Sequence, residues 1–325
     1  MLGYLFKYIV TVVLILSSSI SGIKATHEIA KPVGINTVIV GERLYSVIGN
    51  TSVLGYYDLD ADVCIEESFP TEWGNLQYVF DDSRIFVNAN NGTVIRTDTK
   101  LQPIQKIQFP FYEEIDSHFW HPLPNLSGVL YLQIEDVGNE RRHELWLWDS
   151  RTDELHELRV ENTLQWEQIL MINQQTFLCI GTANGQPDDE YEYALFDVES
   201  YALNVIGTSD IFGTGFGEYH NSESIGSAQG LYHLTDGLFQ PFQKEPTTPY
   251  GLYQEKIFYF VVAENEVLLV SQKLKTGECK IWTTDIPVHS EYFHITGVTE
   301  QGKLVFTYKL KKGDIYQTFS GWIEL

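Results

Sequence analysis

Short runs of alternating apolar and polar residues dominate the chain, and this period-two pattern predicts β-strands. One phrase recurs: an apolar strand with a polar residue at its end, a short turn, and a second strand. The seven copies begin with residues 53–58, 93–98, 145–149, 193–197, 231–234, 267–270 and 304–308. Only residues 162–174 have helical spacing, and the end of that segment also fits a turn. The pattern therefore predicts a series of β-hairpins.

The spacing of these copies matches a known repeat length. The residues that mark equivalent points are Asp58, Asp98, Asp149, Asp197, Asp236, Lys273 and Lys309. They are separated by 40, 51, 48, 39, 37 and 36 residues, and a four-stranded propeller blade takes about 40 to 50 residues. Strand-like runs such as residues 83–87 and 256–262 precede the hairpins. We therefore expect four strands per repeat.

The repeated phrase resembles the inner-blade hairpin of seven-bladed β-propellers of the WD40, TolB-like and quinoprotein-like kind, over roughly residues 36–325. The resemblance implies an all-β propeller, an architecture that serves many functions. A β-sandwich or two stacked all-β domains is the alternative, because regularly spaced hairpins also build sandwiches. In a closed propeller the two ends of the chain share a blade, and we expect Thr37–Val40 to complete the last one.

Residues 1–25 have the composition of a signal peptide. A single cation, Lys7, precedes an uncharged apolar run, a serine patch and a small residue, Ala25. We expect cleavage after Ala25, with Ser21 as the alternative site. An uncleaved anchor is the other reading, but the apolar run is shorter than the roughly 20 residues of a membrane span. The sequence thus predicts an exported protein, periplasmic or extracellular, with one propeller domain over residues 26–325 and no stable membrane span.

Charge and cysteine content exclude several classes of protein. With 44 acidic and 21 basic side chains, the chain has a net charge of −23, which disfavours nucleic-acid binding. A content of 43% hydrophobic and 14% aromatic residues excludes intrinsic disorder. Cys64, Cys179 and Cys279 are too far apart for a clustered metal site or a disulfide-dense fold. They are interpreted as small buried residues, with one disulfide as the alternative.

Asp116, His118, Trp120 and His121 form the densest group of candidate ligand-binding residues. The two histidines and the carboxylate could share a metal, and the indole could stack on a sugar. The simpler interpretation is that aromatic residues here are buried and that the histidines bind backbone groups.

Two further groups are acidic. Asp188, Asp189, Glu190 and Glu192 follow a glycine and predict a solvated loop or an electrostatic contact surface. Asp58, Asp60 and Asp62 alternate and are weak candidates for calcium. The EF-hand pattern fails there, since Val63 and Phe69 replace its glycine and glutamate, and capping of a turn is the simpler role. No other cofactor is predicted.

These observations predict a non-enzymatic binding protein whose partner is a protein, a cationic one in particular, because a strongly acidic surface accelerates capture of basic proteins. A periplasmic immunity or inhibitor protein is one example, by analogy of fold and charge. A propeller that binds or processes carbohydrate is the alternative. The sequence identifies no catalytic residue.

Overall fold

The structure is a computed structural model and describes residues 20–29, 37–46, 53–115, 119–137, 140–160, 163–183, 191–213, 215–243, 245–246, 249–313 and 315–325. It is nearly all β, and its sheets are those of a β-propeller. Within the described residues there are seven sheets built on four antiparallel strands, with strands that follow one another in sequence lying side by side. This confirms the predicted fold class, and seven sheets are compatible with the predicted seven blades.

The chain divides into two compact units, which are described separately. The larger unit comprises residues 48–54 and 67–240. Its four sheets contain β7–β10, β11–β14, β15–β18 and β19–β22. Their strands are β7 Asn75–Val79, β8 Ser83–Asn88, β9 Thr93–Asp98, β10 Pro103–Gln108, β11 Trp120–Pro122, β12 Gly128–Val137, β13 Glu140–Asp149, β14 Glu154–Glu157, β15 Thr163–Asn173, β16 Thr176–Ala183, β17 Tyr191–Asp197, β18 Leu203–Thr208, β19 Tyr219–His220, β20 Ser224–Gly226, β21 Gly230–His233 and β22 Phe239–Pro241. A 3-10 helix, Thr71–Trp73, and a one-turn α-helix, Ser209–Phe212, accompany them.

The smaller unit comprises residues 1–47, 55–66 and 241–325. Its sheets are β3–β6, β23–β26 with β1, and β27–β29 with β2. Their strands are β1 Ile20–Lys24, β2 His27–Glu28, β3 Thr37–Val40, β4 Arg43–Ser46, β5 Val53–Asp58, β6 Val63–Ser68, β23 Tyr250–Tyr253, β24 Lys256–Val262, β25 Val267–Lys273, β26 Cys279–Thr284, β27 Ser290–Val298, β28 Lys303–Lys312 and β29 Ile315–Glu324.

Two strands from opposite ends of the chain share a sheet, as predicted, but the segment is different. β2 pairs antiparallel with β29, with His27 opposite Trp322. The predicted segment, β3, instead pairs with β4 in the first sheet, with Val40 opposite Arg43. The prediction of this segment was wrong because both segments are short and β-prone, and only contacts between distant parts of the chain distinguish them.

β1 lies within the predicted signal peptide. It pairs in parallel with β26, with Lys24 opposite Thr284, and adds a fifth strand to that sheet. Cleavage after Ala25 would remove this strand. The signal peptide itself stays a prediction.

The one predicted helix is wrong, because residues 163–173 form strand β15. Three irregularities interrupt its register with β16, and such bulges disturb the regular alternation of inward-facing and outward-facing residues. Trp166, Ile169 and Ile172 are therefore all buried although they are spaced by three, which imitates helical periodicity. The alternative of a turn at the end of this segment is confirmed at Gln174 and Gln175.

The seventh copy of the repeated phrase is displaced by one strand. In six sheets the phrase falls on the third strand, but residues 304–308 lie in β28, the second strand of the last sheet. Lys309 is therefore not equivalent to the other six marks. The third strand is β29, whose outer partner β2 comes from the start of the chain.

Each unit has its own aromatic and aliphatic core. In the larger unit, Phe109, Trp120 and Tyr131 belong to one buried cluster and Phe177 and Phe196 to another. In the smaller unit, one buried cluster contains Phe260, Phe306 and Ile323, and another contains Leu44, Tyr57 and Val305. Across the described ranges, no helix has the length and apolarity needed to cross a bilayer. None of the three cysteines forms a disulfide. Cys179 is buried as expected, Cys279 is half-buried, and Cys64 is exposed, contrary to expectation.

Candidate functional site

The recurring aspartates cap turns. The Oδ1 atom of each accepts backbone N–H groups from the following turn: those of Asp60 and Ala61 at Asp58, Lys100 and Gln102 at Asp98, Arg151 at Asp149, Ser200 at Asp197, and Leu238 at Asp236. A short acidic side chain that accepts from the backbone two residues on stabilises such turns. The repeated aspartate therefore has a structural role, as expected for Asp58.

Asp149 is the most strongly held of these caps. It is 4% exposed, and the Nη2 atom of Arg151 donates to its Oδ2 at 2.9 Å and to the Tyr201 hydroxyl at 2.8 Å. The hydrogen bond from Arg151 lowers the pKa of Asp149 to about 2, against the opposing effect of burial. This ion pair fixes the turn after β13.

The three alternating aspartates do not converge on one point. Asp58 binds Arg43 at 3.4 Å, Asp60 binds Lys303, and Asp62 accepts the hydroxyl hydrogen of Tyr57. The pKa of Tyr57 is raised to about 12, mainly by burial and secondarily by the hydrogen bond to Asp62. In the part of the chain that the structure describes, no group of three or more histidine, cysteine or acidic side chains is arranged to hold a metal ion.

Asp60 and Asp62 instead line a polar pocket of the smaller unit. The pocket has a volume of about 540 Å³ and is lined by Thr26, His27, Glu28, Leu59, Asp60, Asp62, Lys303 and Trp322. Its size is in the range of pockets for small ligands.

Lys303 is the central cation of this pocket. Its ammonium lies 3.2 Å from Glu42, contacts Asp60 and sits 5.2 Å from the centre of the Trp322 ring. Burial lowers its pKa, but the bonds to Asp60 and Glu42 outweigh burial, so the pKa is raised above the ordinary lysine value. His27 stacks on Trp322 with ring centres 3.9 Å apart. The lysine thus joins three separate segments of the chain.

Sequence reasoning missed this pocket, apart from its aspartates. Residues 26–28, 59–62, Lys303 and Trp322 are far apart along the chain, and none belongs to a recognisable motif. The pairing of β2 with β29 brings His27 to Trp322. The pocket could therefore be recognised only from the pairing of β2 with β29.

The histidine and tryptophan group is dispersed. Asp116 and His118 lie outside the described residues. Trp120 is 2% exposed and packs against Phe109 with ring centres 5.0 Å apart, so its face is not available to a sugar. His121 is half-buried, and its Nδ1 lies 3.1 Å from the hydroxyl of Tyr78. Trp120 and His121, the described members of this group, thus contact other residues of the protein interior.

The acidic group is likewise only partly described. Asp188, Asp189 and Glu190 lie outside the described residues. Glu192 is 6% exposed and lies in β17, opposite Gly181 of β16 and Thr208 of β18. The expectation of a solvated loop is wrong for Glu192, because the strand begins at Tyr191 and turns this carboxylate inward.

Acidity is distributed unequally between the two units. Residues 48–54 and 67–240 contain 28 acidic and 8 basic side chains, a net charge of −20. The smaller unit contains 16 acidic and 13 basic side chains, a net charge of −3. Nearly all of the excess negative charge therefore belongs to the larger unit.

Comparison with known proteins identifies no family. No family model and no curated protein matches the chain. The acylaminoacyl peptidase of Pyrococcus horikoshii matches with a TM-score of 0.43 and 9% identity over 87% of this chain and 51% of that one, so this chain spans about half its length. The Dos1 propeller matches with a TM-score of 0.41 and 12% identity, over 86% of this chain and 75% of that one.

The β-propeller domain of the Trilobed protease from Pyrococcus furiosus is a further match, with a TM-score of 0.36 and 11% identity over 88% of this chain and 79% of that one. Such similarities concern the fold alone. The fold assignment rests on the order of strands in the seven sheets.

Proposed function

We propose that this chain is an exported, non-enzymatic β-propeller protein that binds a cationic protein partner through the unit formed by residues 48–54 and 67–240. The net charge of −20 on this unit, against −3 on the other, or −5 once Lys7 and Lys24 are removed by cleavage after Ala25, is the observation that supports the proposal. A rigid body with so many like charges attracts basic proteins and accelerates their association. A periplasmic immunity or inhibitor protein is an example of this function.

Many of the acidic side chains are available for such contacts. Glu72, Glu167 and Glu199 are exposed, and no ion pair with a described lysine or arginine involves them. An approaching cation therefore does not have to displace an internal partner. Because the Debye length is about 8 Å at physiological salt, such charges act mainly on a partner already close to the surface.

The test is a pull-down with the wild-type chain at 0.05 and 0.5 M salt, followed by identification of the captured proteins. We expect basic proteins that are captured at low salt and released at high salt. Two triple variants with the same change in total charge locate the surface. Glu72→Gln/Glu167→Gln/Glu199→Gln alters the larger unit, and Glu245→Gln/Glu300→Gln/Glu324→Gln alters exposed glutamates of the smaller one.

The first triple variant should weaken binding of the captured partner several-fold more than the second, and should reduce the salt dependence of its Kd. Equal effects of the two variants would contradict the assignment to the larger unit. Capture of neutral or acidic proteins that resist 0.5 M salt would contradict the proposal as a whole. Binding to a glycan array without a protein partner would support the carbohydrate alternative instead.

Export is tested independently, by sequencing the amino terminus of the protein recovered from the medium or the periplasm. Cleavage after Ala25 or Ser21 is the expected result. Recovery of the intact chain from the cytoplasm alone would contradict it.

A further inference from the structure

The last hairpin carries a group of lysines that the acidic composition of the chain makes unusual. Lys309, Lys311 and Lys312 lie near the end of β28, and residues 309–316 have a net charge of +2, with Asp314 as their single acid. No described carboxylate forms an ion pair with any of the three. Glu291 lies directly opposite Lys309 in the β27–β28 pair, so the three lysines leave a net positive charge at this point that one neighbouring carboxylate only partly offsets.

Aromatic rings lie beside each of these ammonium groups. Lys309 is 5.3 Å from the ring centre of Tyr292, and Lys311 is 6.0 Å from that of Tyr316. Lys312 is 5.6 Å from the ring centre of Phe319. Cation–π contact orients a lysine side chain without neutralising its charge. The ammonium groups are thus positioned, and their charge is still available to a ligand.

Tyr292 is held in an exposed position by strained backbone. It lies in a register irregularity of β27, between Glu291 and His294, and has a φ of 54°. A bulky residue in the left-handed region is uncommon, and here it coincides with the bulge rather than with a turn. Its side chain is 65% exposed. A bulge changes the direction of side chains relative to the regular alternation of the strand.

Tyr316 completes an aromatic surface beside the lysines. Its ring meets that of Tyr292 edge-to-face, with centres 5.5 Å apart, and its hydroxyl donates to Glu291 at 3.1 Å. Lys311 lies directly opposite Tyr316 in the β28–β29 pair. Lys309 lies two residues earlier and so projects on the same face of the sheet. We call Tyr292, Lys309, Lys311 and Tyr316 the lysine–tyrosine face.

We propose that the lysine–tyrosine face docks an acidic segment of a partner polypeptide in extended conformation. Lysines two residues apart on a strand are separated by about 6.8 Å, and alternate carboxylates of an extended peptide have the same spacing. The two tyrosines supply the rigid, amphipathic contact area typical of binding hot spots. This ligand is opposite in charge to the partner proposed above, so the two proposals stand or fall separately.

A lipid surface fits the same face less well. Ile315, which is 74% exposed, is the one exposed aliphatic side chain of the described part of this hairpin tip. Stable membrane binding requires more buried apolar surface or a larger basic cluster. A strained tyrosine and a two-residue lysine spacing favour recognition of a defined peptide.

The test uses two fluorescein-labelled decapeptides of identical composition, with binding to the full chain followed by fluorescence anisotropy. In the alternating peptide each glutamate is followed by a threonine, whereas in the block peptide all the glutamates precede all the threonines. We expect the alternating peptide to bind at least threefold more tightly. The double variant Lys309→Gln/Lys311→Gln should raise the Kd of the alternating peptide at least fivefold. The control Lys256→Gln/Lys280→Gln removes two lysines of the same unit and should change the Kd less than twofold.

Tyr292→Gly separates binding from folding. Glycine accepts a φ of 54° without strain. The Tm of this variant should therefore stay the same or rise, while its Kd for the alternating peptide should rise at least threefold. Equal binding by wild type and the Lys309→Gln/Lys311→Gln variant would overturn the proposal. So would binding to vesicles with 30% phosphatidylserine but to neither peptide, or lysine-dependent self-association of the chain without peptide binding.

Discussion

Asp149 provides the sharpest test of how the repeated turns are stabilised. Replacing it by asparagine retains an Oδ1 acceptor for the backbone N–H of Arg151 but removes the charge that pairs with the guanidinium. The exchange Asp98→Asn is a matched control, because Asp98 caps its turn through the backbone N–H groups of Lys100 and Gln102 and has no ion pair among the described residues. The difference between the two variants isolates the contribution of Arg151.

The magnitude follows from the lowered pKa of Asp149. A carboxyl with a pKa of about 2 in the folded protein instead of 3.8 contributes about 2 kcal/mol to the free energy of unfolding, at about 1.4 kcal/mol per pKa unit. Arg151 is 65% exposed, and solvent screening reduces the expected loss in Asp149→Asn to about 1 to 2 kcal/mol. The loss in Asp98→Asn should stay within about 0.5 kcal/mol.

The pH dependence has a definite sign. Because the folded-state pKa is lowered, the contribution of Asp149 is complete well above pH 3.8 and declines as the pH falls through 3.8 towards 2. Urea unfolding of wild type and both variants at pH 7, 4 and 2.5 measures it. If the two units unfold separately, hydrogen exchange of the turn after β13 reports the local stability.

Two results would refute this reasoning. The first is an equal loss in the two variants at pH 7, since the ion pair would then contribute nothing beyond the turn. The second is a loss in Asp149→Asn that does not shrink between pH 7 and pH 2.5, because below pH 3.8 the carboxyl is protonated in the unfolded protein and folding must then remove that proton, which reduces the contribution of the ion pair.

Three further outcomes are expected. Gly74→Ala should lower the free energy of unfolding by at least about 2 kcal/mol, because the added Cβ would lie 2.2 Å from a carbonyl oxygen and the φ of Gly74 is 82°. Gly41→Ala, whose Cβ would have open space around it, should lower the free energy of unfolding by less. Equal urea midpoints of the two variants would contradict this prediction. A thiol reagent should label exposed Cys64 in the native protein but reach buried Cys179, whose pKa is raised by burial, only in urea. Truncation before Phe319 removes most of β29 and should abolish soluble folding; an unchanged cooperative melt would exclude this.

Local features of the fold were predictable from residue order. Strands such as β9, Thr93–Asp98, were predicted with their observed ends, since alternation and the aspartate-capped turn act over a few residues. Bulged β15 was misassigned because its inserted residues change the period of burial from two to three. The candidate site was less predictable. Trp120 is buried, as the simpler interpretation held, which excludes stacking of its ring on a sugar. Glu192, expected in a solvated loop or a contact surface, is buried in a strand.

The amino-acid order thus determines the hairpins, their spacing and the acidity of the chain, because these depend on neighbouring residues and on composition. Tertiary structure decides which strand completes the last sheet, where Lys303 meets Asp60 and Glu42, and how Tyr292 comes to lie beside Lys309. Asp60 and Lys303 are 243 residues apart. Pairing over such distances is selected by the simultaneous burial and hydrogen bonding of all sheets of a unit, which no local pattern encodes.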